Sequence, residues 1–192
     1  MARRLTYFVA VTLDGFIASP DGEFDRFVLE GDHMAAITAL YPDAIPVHLQ
    51  EFAGVSPRGE VFDTVVMGWN TYAVGLAEGV TSPYGHLRQY VFSSQPREVG
   101  DGVTLLQTDP VQTIRDLKAE EGGSGIWLCG GGQLAATLVD EIDDLVLKVH
   151  PVTFGAGIPL FASGYAPRRW ERVDTIAYES GVGLARFRRP GL

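Results

Sequence analysis

The sequence predicts an α/β fold in which helices cover both faces of a mainly parallel sheet. Apolar segments of strand length alternate with helical segments over residues 61–139, as in parallel strands joined by crossover helices. Three strand-like segments after residue 144 have no convincing helices between them, which favours an antiparallel edge. With 192 residues, 46% hydrophobic content and no linker-like composition, the chain is expected to form one domain over residues 1–192.

The first predicted strand is an apolar run rich in β-branched and aromatic residues. It covers residues 5–13 and stops at Asp14-Gly15, a pair that favours a turn. Residues 16–31 contain SPDGEF, whose Pro, Asp and Gly predict a loop that lies over a pocket. The remaining strands are expected at 61–67, 89–92, 103–107, 125–129, 145–149, 170–178 and 183–188.

The helices are predicted from polar caps or prolines that precede helical spacing of apolar residues. The candidate start residues are Asp32, Pro46, Asn70 or Thr71, and Asp109-Pro110. A further helix is predicted over residues 132–139, because Leu134 and Leu138 have i,i+4 spacing directly after a run of glycines.

Charge and cysteine content exclude several classes of function. A formal net charge of -9 without a long basic stripe argues against a nucleic-acid partner. The single cysteine, Cys129, cannot form an intrachain disulfide or a cysteine zinc cluster, which fits a reducing cytoplasm. No His or carboxylate cluster has metal-ligand spacing, so no metal is expected. No apolar stretch approaches the ~20 residues of a membrane span, and no signal cleavage site follows the N-terminal run, so neither membrane insertion nor export is expected.

The most informative motif is a strand that runs through three glycines into a helix, IWLCGGGQL at residues 126–134. Glycines at this turn let the backbone approach a ligand closely, and free N–H groups at a helix start suit an anion such as a diphosphate. The run Gly130-Gly131-Gly132 does not have the spacing of the G-x-G-x-x-G fingerprint. The alternative is a tight turn that binds no ligand.

Two further strand ends carry polar groups suited to a nucleotide. After the strand at 61–67, Gly68-Trp69-Asn70-Thr71 offers a hydroxyl and N–H groups to a phosphate oxygen, unless Thr71 is only a helix cap. After the strand at 89–92, Ser93, Ser94 and Arg97 suit a ribose or its 2′-phosphate, unless the serines simply begin a loop.

Taken together and in this order, the motifs resemble the dihydrofolate reductase family, and most closely the branch it shares with the reductase (RibD C-terminal) domain of riboflavin biosynthesis. The motifs are VTLDGFIA, VVMGWNTY, YVFSSQP, IWLCGGGQLAATLVD and HPVTFGAGIPLF, and the resemblance covers roughly residues 5–161. The resemblance implies a dihydrofolate reductase-like three-layer fold, with about eight strands and helices on both faces of the sheet.

The resemblance also implies a cofactor, NADPH with NADH as the alternative, and a set of contacts to it. The residues implied at the diphosphate are Cys129, Gly130, Gly131, Gly132, Gln133 and Leu134 on one side, and Gly68, Trp69, Asn70 and Thr71 on the other. Ser93 and Ser94 are implied at the adenosine ribose, and the Gly130–Gly131 peptide is implied to be cis. On the substrate side the implied contacts are Ala10, Phe16 and Gly157. His150 either contacts substrate or is a hydrogen-bonded structural residue.

Two positions depart from the family pattern. Trp69 occupies a position where the family often has an arginine that grips a 2′-phosphate, so Arg97 is the candidate substitute. Trp69 itself either stacks on adenine or is half-buried packing. No carboxylate on the first helix aligns with the one that binds folate, which argues against folate as the substrate.

The expected activity is NAD(P)H-dependent hydride transfer to a small heterocycle, pteridine-like or pyrimidine-like. Asp14 is the candidate polar group at the reacting centre, because it leaves the first strand at its carboxyl end. The alternative is that Asp14 only forms the Asp-Gly turn, and Asp25 and Asp32 are better explained as loop and N-cap residues.

Two other functions are compatible with the motifs. One is 5-amino-6-(5-phosphoribosylamino)uracil reductase of the riboflavin pathway, although the sequence has no compelling basic cluster for a ribose phosphate. The other is a binding module that retains the dinucleotide site and catalyses nothing. The resemblance also makes a homodimer plausible.

Overall fold

The computed structural model describes residues 3–192 and contains ten strands. Met1 and Ala2, which begin the segment interpreted as having no export signal, lie outside the described residues. The strands are β1 (Leu5–Thr12), β2 (Phe16–Ala18), β3 (Phe62–Gly68), β4 (Arg88–Phe92), β5 (Val103–Leu106), β6 (Gly125–Gly130), β7 (Asp144–His150), β8 (Ile158–Pro159), β9 (Glu171–Ala177) and β10 (Gly183–Arg188). The helices are α1 (Asp32–Leu40), α2 (Gln50–Ala53), α3 (Trp69–Ala77), α4 (Pro110–Ala119) and α5 (Gly132–Thr137), with 3₁₀ turns at Pro42–Ala44 and Val47–Leu49.

Eight strands form the central sheet in the order β5-β4-β3-β6-β1-β7-β10-β9. Every pair from β5 through β7 is parallel, whereas β10 is antiparallel to both β7 and β9. The predicted mainly parallel sheet of about eight strands with an antiparallel C-terminal edge is therefore confirmed.

Alternation of side chains along the strands creates one apolar core on each face of the sheet. On β1, Tyr7 packs into the core that includes Ile114 of α4 and Leu134 of α5, whereas Phe8 packs into the opposite core with Ile37 of α1 and Tyr72 of α3. Successive side chains of a strand point to opposite faces, so one apolar run supplies both cores. The result is the three-layer arrangement that the sequence predicts.

The carboxyl ends of β3, β6, β1 and β7 lie side by side at one edge of the sheet, because these four strands are parallel neighbours. In open α/β sheets, ligands bind at this edge. The turns after β3 and β6, together with the ends of β1 and β7, therefore determine the position of the site.

Three local predictions are corrected by the structure. Residues 16–31 are not all loop, since β2 lies among them and pairs with β8 in a small second sheet. Asp32 does not cap α1; its carboxylate accepts hydrogen bonds from the N–H groups of Glu179 and Ser180. Neither Asn70 nor Thr71 caps α3, which begins at Trp69.

The predicted starts of two other helices agree with the structure. Pro46 precedes the 3₁₀ turn that leads into α2, and the Asp109 carboxylate caps α4 by accepting the N–H of Val111 at 2.9 Å. None of the helices in residues 3–192 has the length and apolar content that a membrane span requires. The same part of the chain contains no group of three or more His, Cys, Asp or Glu side chains that could hold a metal ion.

Candidate active site

The glycine turn after β6 is open on the side that faces the β3 turn. The Gly130–Gly131 peptide is cis, as the resemblance implied. A Cβ atom built on Gly130 or Gly131 would meet only the Thr71 side chain, whose Oγ1 lies 3.4 Å from either position. Backbone at these two glycines is therefore accessible to a group placed between the turn and Thr71.

The third glycine of the turn has a different role. A Cβ atom on Gly132 would lie 2.2 Å from the carbonyl oxygen of Pro159, and the carbonyl of Gly132 accepts the N–H of Ala162 at 3.0 Å. Gly132 therefore lets the segment around β8 pack directly against the start of α5.

The turn after β3 lies directly opposite the glycine turn. A Cβ atom on Gly68 would be 3.9 Å from the Cβ of Leu134 in α5, and Thr71 in the first turn of α3 reaches Gly130 and Gly131. Because neither Asn70 nor Thr71 is used as a cap, their side chains remain available to the space between the two turns.

The end of β4 extends this space toward Arg97. The hydroxyl of Ser93 bonds within its own loop, donating to the carbonyl of Gln95 at 2.8 Å. The guanidinium of Arg97 lies over the Trp69 ring, 4.9 Å from its centroid. Trp69 is half-buried and meets Tyr72 edge-on at 5.8 Å, so it both packs on the protein and carries the cation.

These turns line one large cavity of about 1510 Å³. All the residues implied at the cofactor line it: Gly68, Trp69, Asn70, Thr71, Ser93, Ser94, Arg97, Cys129, Gly130, Gly131, Gly132, Gln133 and Leu134. Of the implied substrate contacts, Ala10 and Gly157 also line it. Phe16 does not; it pairs with Pro159 in the small sheet and packs against Gly157.

Asp14 lies outside the lining of this cavity and supports a loop instead. Its carboxylate accepts the Thr12 hydroxyl at 2.6 Å, the N–H of Gly155 at 2.7 Å and the N–H of Phe154 at 3.1 Å. These hydrogen bonds, that of Thr12 foremost, lower the pKa of the Asp14 carboxyl. An ionised carboxylate has no proton to donate, so the structure favours the turn-forming alternative.

The wall of the cavity formed by β7 carries two polar side chains, Lys148 and His150, on one face of the strand. Nδ1 of His150 accepts the N–H of Val28 at 3.2 Å, while Nε2 of His33 donates to the carbonyl of Val28 at 3.1 Å. The His33 and His150 rings are perpendicular, with centroids 6.0 Å apart. Together they tie the segment before α1 to the sheet.

Lys148 was not among the residues implied by the sequence motifs. For His150 the sequence left two roles open, a substrate contact or a structural residue. The available signal is the pattern of β7 after Asp144, in which polar residues occupy two alternate positions, 148 and 150, of an otherwise apolar segment. Alternate residues of a strand share a face, so this pattern marks a polar strip. The sequence does not show that the strip borders a cavity.

A family model for the RibD C-terminal domain matches residues 3–184. The chain belongs to the RibD C-terminal domain family. The resemblance inferred from the motifs is therefore confirmed, together with the dihydrofolate reductase-like fold.

Several known proteins are similar to this RibD C-terminal domain. The uncharacterized protein YwjB of Bacillus subtilis (strain 168) is 31% identical over 166 residues, 84% of either chain. Among solved structures, a candidate riboflavin biosynthesis protein from Shewanella sp. PV-4 has a TM-score of 0.72 at 24% identity, covering 98% of this chain and 99% of that one. The diaminohydroxyphosphoribosylaminopyrimidine deaminase/5-amino-6-(5-phosphoribosylamino)uracil reductase of Thermotoga maritima has a TM-score of 0.66 at 17% identity, covering 98% of this chain and 57% of that one. At these identities the two structures establish the fold.

His150 predicts a pH dependence for the stability of this RibD C-terminal domain. Burial, with smaller contributions from Lys148 and His33, lowers the pKa of His150 to about 4 from its usual 6.5. The folded state therefore favours the neutral ring, and its contribution is complete above pH 6.5 and lost as the pH falls toward 4. We expect this loss to be on the order of 1–3 kcal/mol of unfolding free energy.

Urea unfolding of the wild type and of His150→Asn, compared at about pH 7 and about pH 4.5, measures this loss. Asparagine retains an acceptor for Val28 N–H but does not titrate in this range. The variant should lose less stability than the wild type on acidification. Equal losses in the two proteins would rule out His150 as the titrating group.

Proposed function

We propose that the protein is an NADPH-dependent reductase that transfers a hydride to a small heterocycle, pteridine-like or pyrimidine-like. The observation that carries the proposal is the pair of opposed turns, in which Gly130 and Gly131 face Thr71 across a space that a Cβ atom would occupy. Membership in the RibD C-terminal domain family supports the same assignment.

The residues at the two turns suit the diphosphate of a dinucleotide. Unobstructed backbone at Gly130 and Gly131 allows close approach, and the Thr71 hydroxyl can donate a hydrogen bond to a phosphate oxygen. Ser93 and Ser94 would hold the adenosine ribose, with Arg97 beside them. When bound, the reduced nicotinamide would supply the hydride.

The remaining cavity would hold the substrate against the ends of β1 and β7. Ala10 and Gly157 border this part and leave room for a flat ring, since neither has a bulky side chain. Asp14 would act as a positioning residue, because its carboxylate fixes the loop at Phe154 and Gly155 that precedes Gly157.

Two alternatives remain distinct from this proposal. A riboflavin-pathway 5-amino-6-(5-phosphoribosylamino)uracil reductase needs a site for the ribose phosphate, and it is favoured by the structural similarity to the deaminase/reductase of Thermotoga maritima. A binding module without turnover would need only the two turns. A homodimer and a cytoplasmic location remain predictions from the sequence.

Stopped-flow measurement of NADPH oxidation tests the proposal. The protein is mixed with NADPH and with pterins, aminopyrimidines or a ribosylaminouracil phosphate, and absorbance of the reduced nicotinamide is followed. We expect substrate-dependent oxidation with at least one ring that lacks the ribose phosphate. Oxidation only with the phosphorylated substrate would favour the riboflavin-pathway enzyme, and tight NADPH binding without turnover would favour the binding module.

Arg97 predicts the cofactor preference. Its guanidinium lies against Trp69, which occupies the position where the family often has an arginine. Arg97→Ala should weaken NADPH binding about 10-fold and NADH binding less than about 2-fold, because only NADPH has a 2′-phosphate for the cation to contact. Fluorescence titrations with both nucleotides measure the effect, and Arg58→Ala, at an exposed position outside the cavity, is the control. Equal weakening of NADPH and NADH would contradict a phosphate contact.

A further inference from the structure

Lys148 is a cation without a carboxylate partner in the substrate part of the cavity. Among residues 3–192, no Asp or Glu oxygen lies within ion-pair distance of its ammonium. The side chain is half-buried, and Nζ lies 4.7 Å from the centroid of the Phe8 ring. A half-buried ammonium that has an aromatic face but no counter-ion is well placed to interact with an electron-rich ligand atom.

The sheet register places Lys148 near the end of the cavity where the reaction would occur. It pairs with Ala10 on β1, and Tyr7, three residues earlier on β1, pairs with Leu128 on β6. Gly131 is likewise three residues beyond Leu128, so Lys148 lies at the height of the glycine turn. With strands about 4.8 Å apart, β7 lies roughly 10 Å from β6 across β1. A ring between them would be within reach of a lysine side chain.

The opposite wall of the cavity does not supply a negative charge near Lys148. Helix α1 presents His33, Met34 and Ile37 to the cavity, and its one carboxylate, on Asp32, bonds to Glu179 and Ser180. The acidic residues that line the cavity are Asp21 and Glu78, both exposed. The charge of the pocket at the ends of β1 and β7 is therefore positive, although the whole chain has a formal net charge of -9.

We propose that Lys148 is the catalytic proton donor of the reductase, and that its charge makes the pocket select rings with an electron-rich or anionic acceptor over cationic rings. This assignment rests on the proposed function. In the balanced step, the C=N or C=O π bond of the substrate breaks and its carbon receives the hydride from the reduced nicotinamide. Its nitrogen or oxygen receives a proton from Nζ of Lys148, which then recovers a proton from water in the cavity. The cofactor is oxidised by two electrons and the substrate is reduced by two.

Apart from Lys148, the groups in this part of the cavity that have a shifted pKa are neutral near pH 7. Burial raises the pKa of Cys129 on β6 to about 11 and raises the pKa of Tyr84, before β4, well above 10. The pKa of Tyr41, after α1, is also raised by burial, and that of His150 is about 4. His33 faces the same region from α1. Burial lowers the pKa of Lys148 itself, which makes its ammonium a stronger acid.

Calorimetric binding of two pyrimidine probes tests the charge of the pocket without requiring turnover. Orotate is the anionic probe and 2,4,6-triaminopyrimidine is the cationic one, each added to the NADP⁺-saturated protein. We expect the wild type to bind orotate at least 10-fold tighter, Lys148→Met to lose this preference, and Lys148→Arg to keep it. Arg172→Met, which removes an exposed cation from β9, should behave like the wild type.

The role in proton transfer is tested by single-turnover NADPH oxidation with the substrate found in the stopped-flow screen. Lys148→Arg should be at least 10-fold slower than the wild type because arginine is a poor proton donor, and NADPH affinity should be unchanged in every variant. The charge assignment would be overturned if Lys148→Met bound orotate as the wild type does, or if the wild type bound neither probe. The role as proton donor would be overturned if Lys148→Arg oxidised NADPH at the wild-type rate. If the wild-type protein does not bind NADPH at all, the proposed function itself is refuted. Thermal melting of each variant identifies any that fail to fold.

Discussion

Gly131→Ala is expected to weaken NADPH binding at least 100-fold, about 2.7 kcal/mol, while leaving the protein folded. Gly131 has φ -101° and ψ -176°, which alanine adopts without strain. Its Cβ atom would meet the protein only at Thr71 Oγ1, 3.4 Å away, so the fold can accept it. The same methyl group would occupy the space between the two turns, where we place the diphosphate. Fluorescence titration with NADPH, together with thermal melting, measures both effects.

Gly132→Ala is the matched control for this substitution. Its Cβ atom would lie 2.2 Å from the Pro159 carbonyl oxygen, so the methyl group collides with backbone and should lower the melting temperature. Substitutions at these two neighbouring glycines would thus distinguish an effect on NADPH binding from an effect on folding. Wild-type NADPH affinity in a folded Gly131→Ala protein would show that the diphosphate does not lie against this turn.

Asp43→Ala is expected to destabilise the fold by about 2–4 kcal/mol. The side chain is fully buried, and its carboxylate accepts the N–H groups of Gly59 at 2.8 Å, Val61 at 2.8 Å and Phe62 at 3.0 Å. These bonds join the segment after α1 to the start of β3. Alanine would leave the three donors without their acceptor, a cost larger than the gain from one ordinary hydrogen bond.

Urea unfolding of Asp43→Ala and Asp109→Ala compares the unfolding free energy lost when a buried carboxylate is removed with that lost when an exposed one is removed. Asp109 caps α4 at the surface, so its loss should cost only about 1 kcal/mol. Asp43→Asn, which keeps one acceptor oxygen, should fall between the wild type and Asp43→Ala. A loss at Asp43 no larger than that at Asp109 would contradict the account of the buried carboxylate.

The buried strands β1, β3 and β6 were predictable because each is an apolar run bounded by turn residues. The first strand and the segment from β6 into α5 were located within one to two residues of their observed bounds. The two missed strands, β2 and β8, have three and two residues, too short for a period to show. The cap predictions failed for two helices. The Asp32 carboxylate at the start of α1 is used in tertiary contacts, and α3 begins directly after a glycine without a side-chain cap.

The glycine turn of the site was predictable because its motif is local in sequence. The polar strip of β7 was not, because its meaning depends on which strands lie beside it: Lys148 reaches Phe8 on β1, and His150 reaches Val28 before α1. At Asp14 the position in the sequence and the observed contacts point to different roles. Its position at a strand end favoured catalysis, whereas its carboxylate is used by Phe154 and Gly155, 140 and 141 residues away in sequence.

A crystal structure of the protein with bound NADPH tests the central claim most directly. The proposed function predicts the diphosphate between Gly130-Gly131 and Thr71, with the nicotinamide directed toward the ends of β1 and β7. A dinucleotide bound at any other surface, or no bound dinucleotide at saturating concentration, would contradict it.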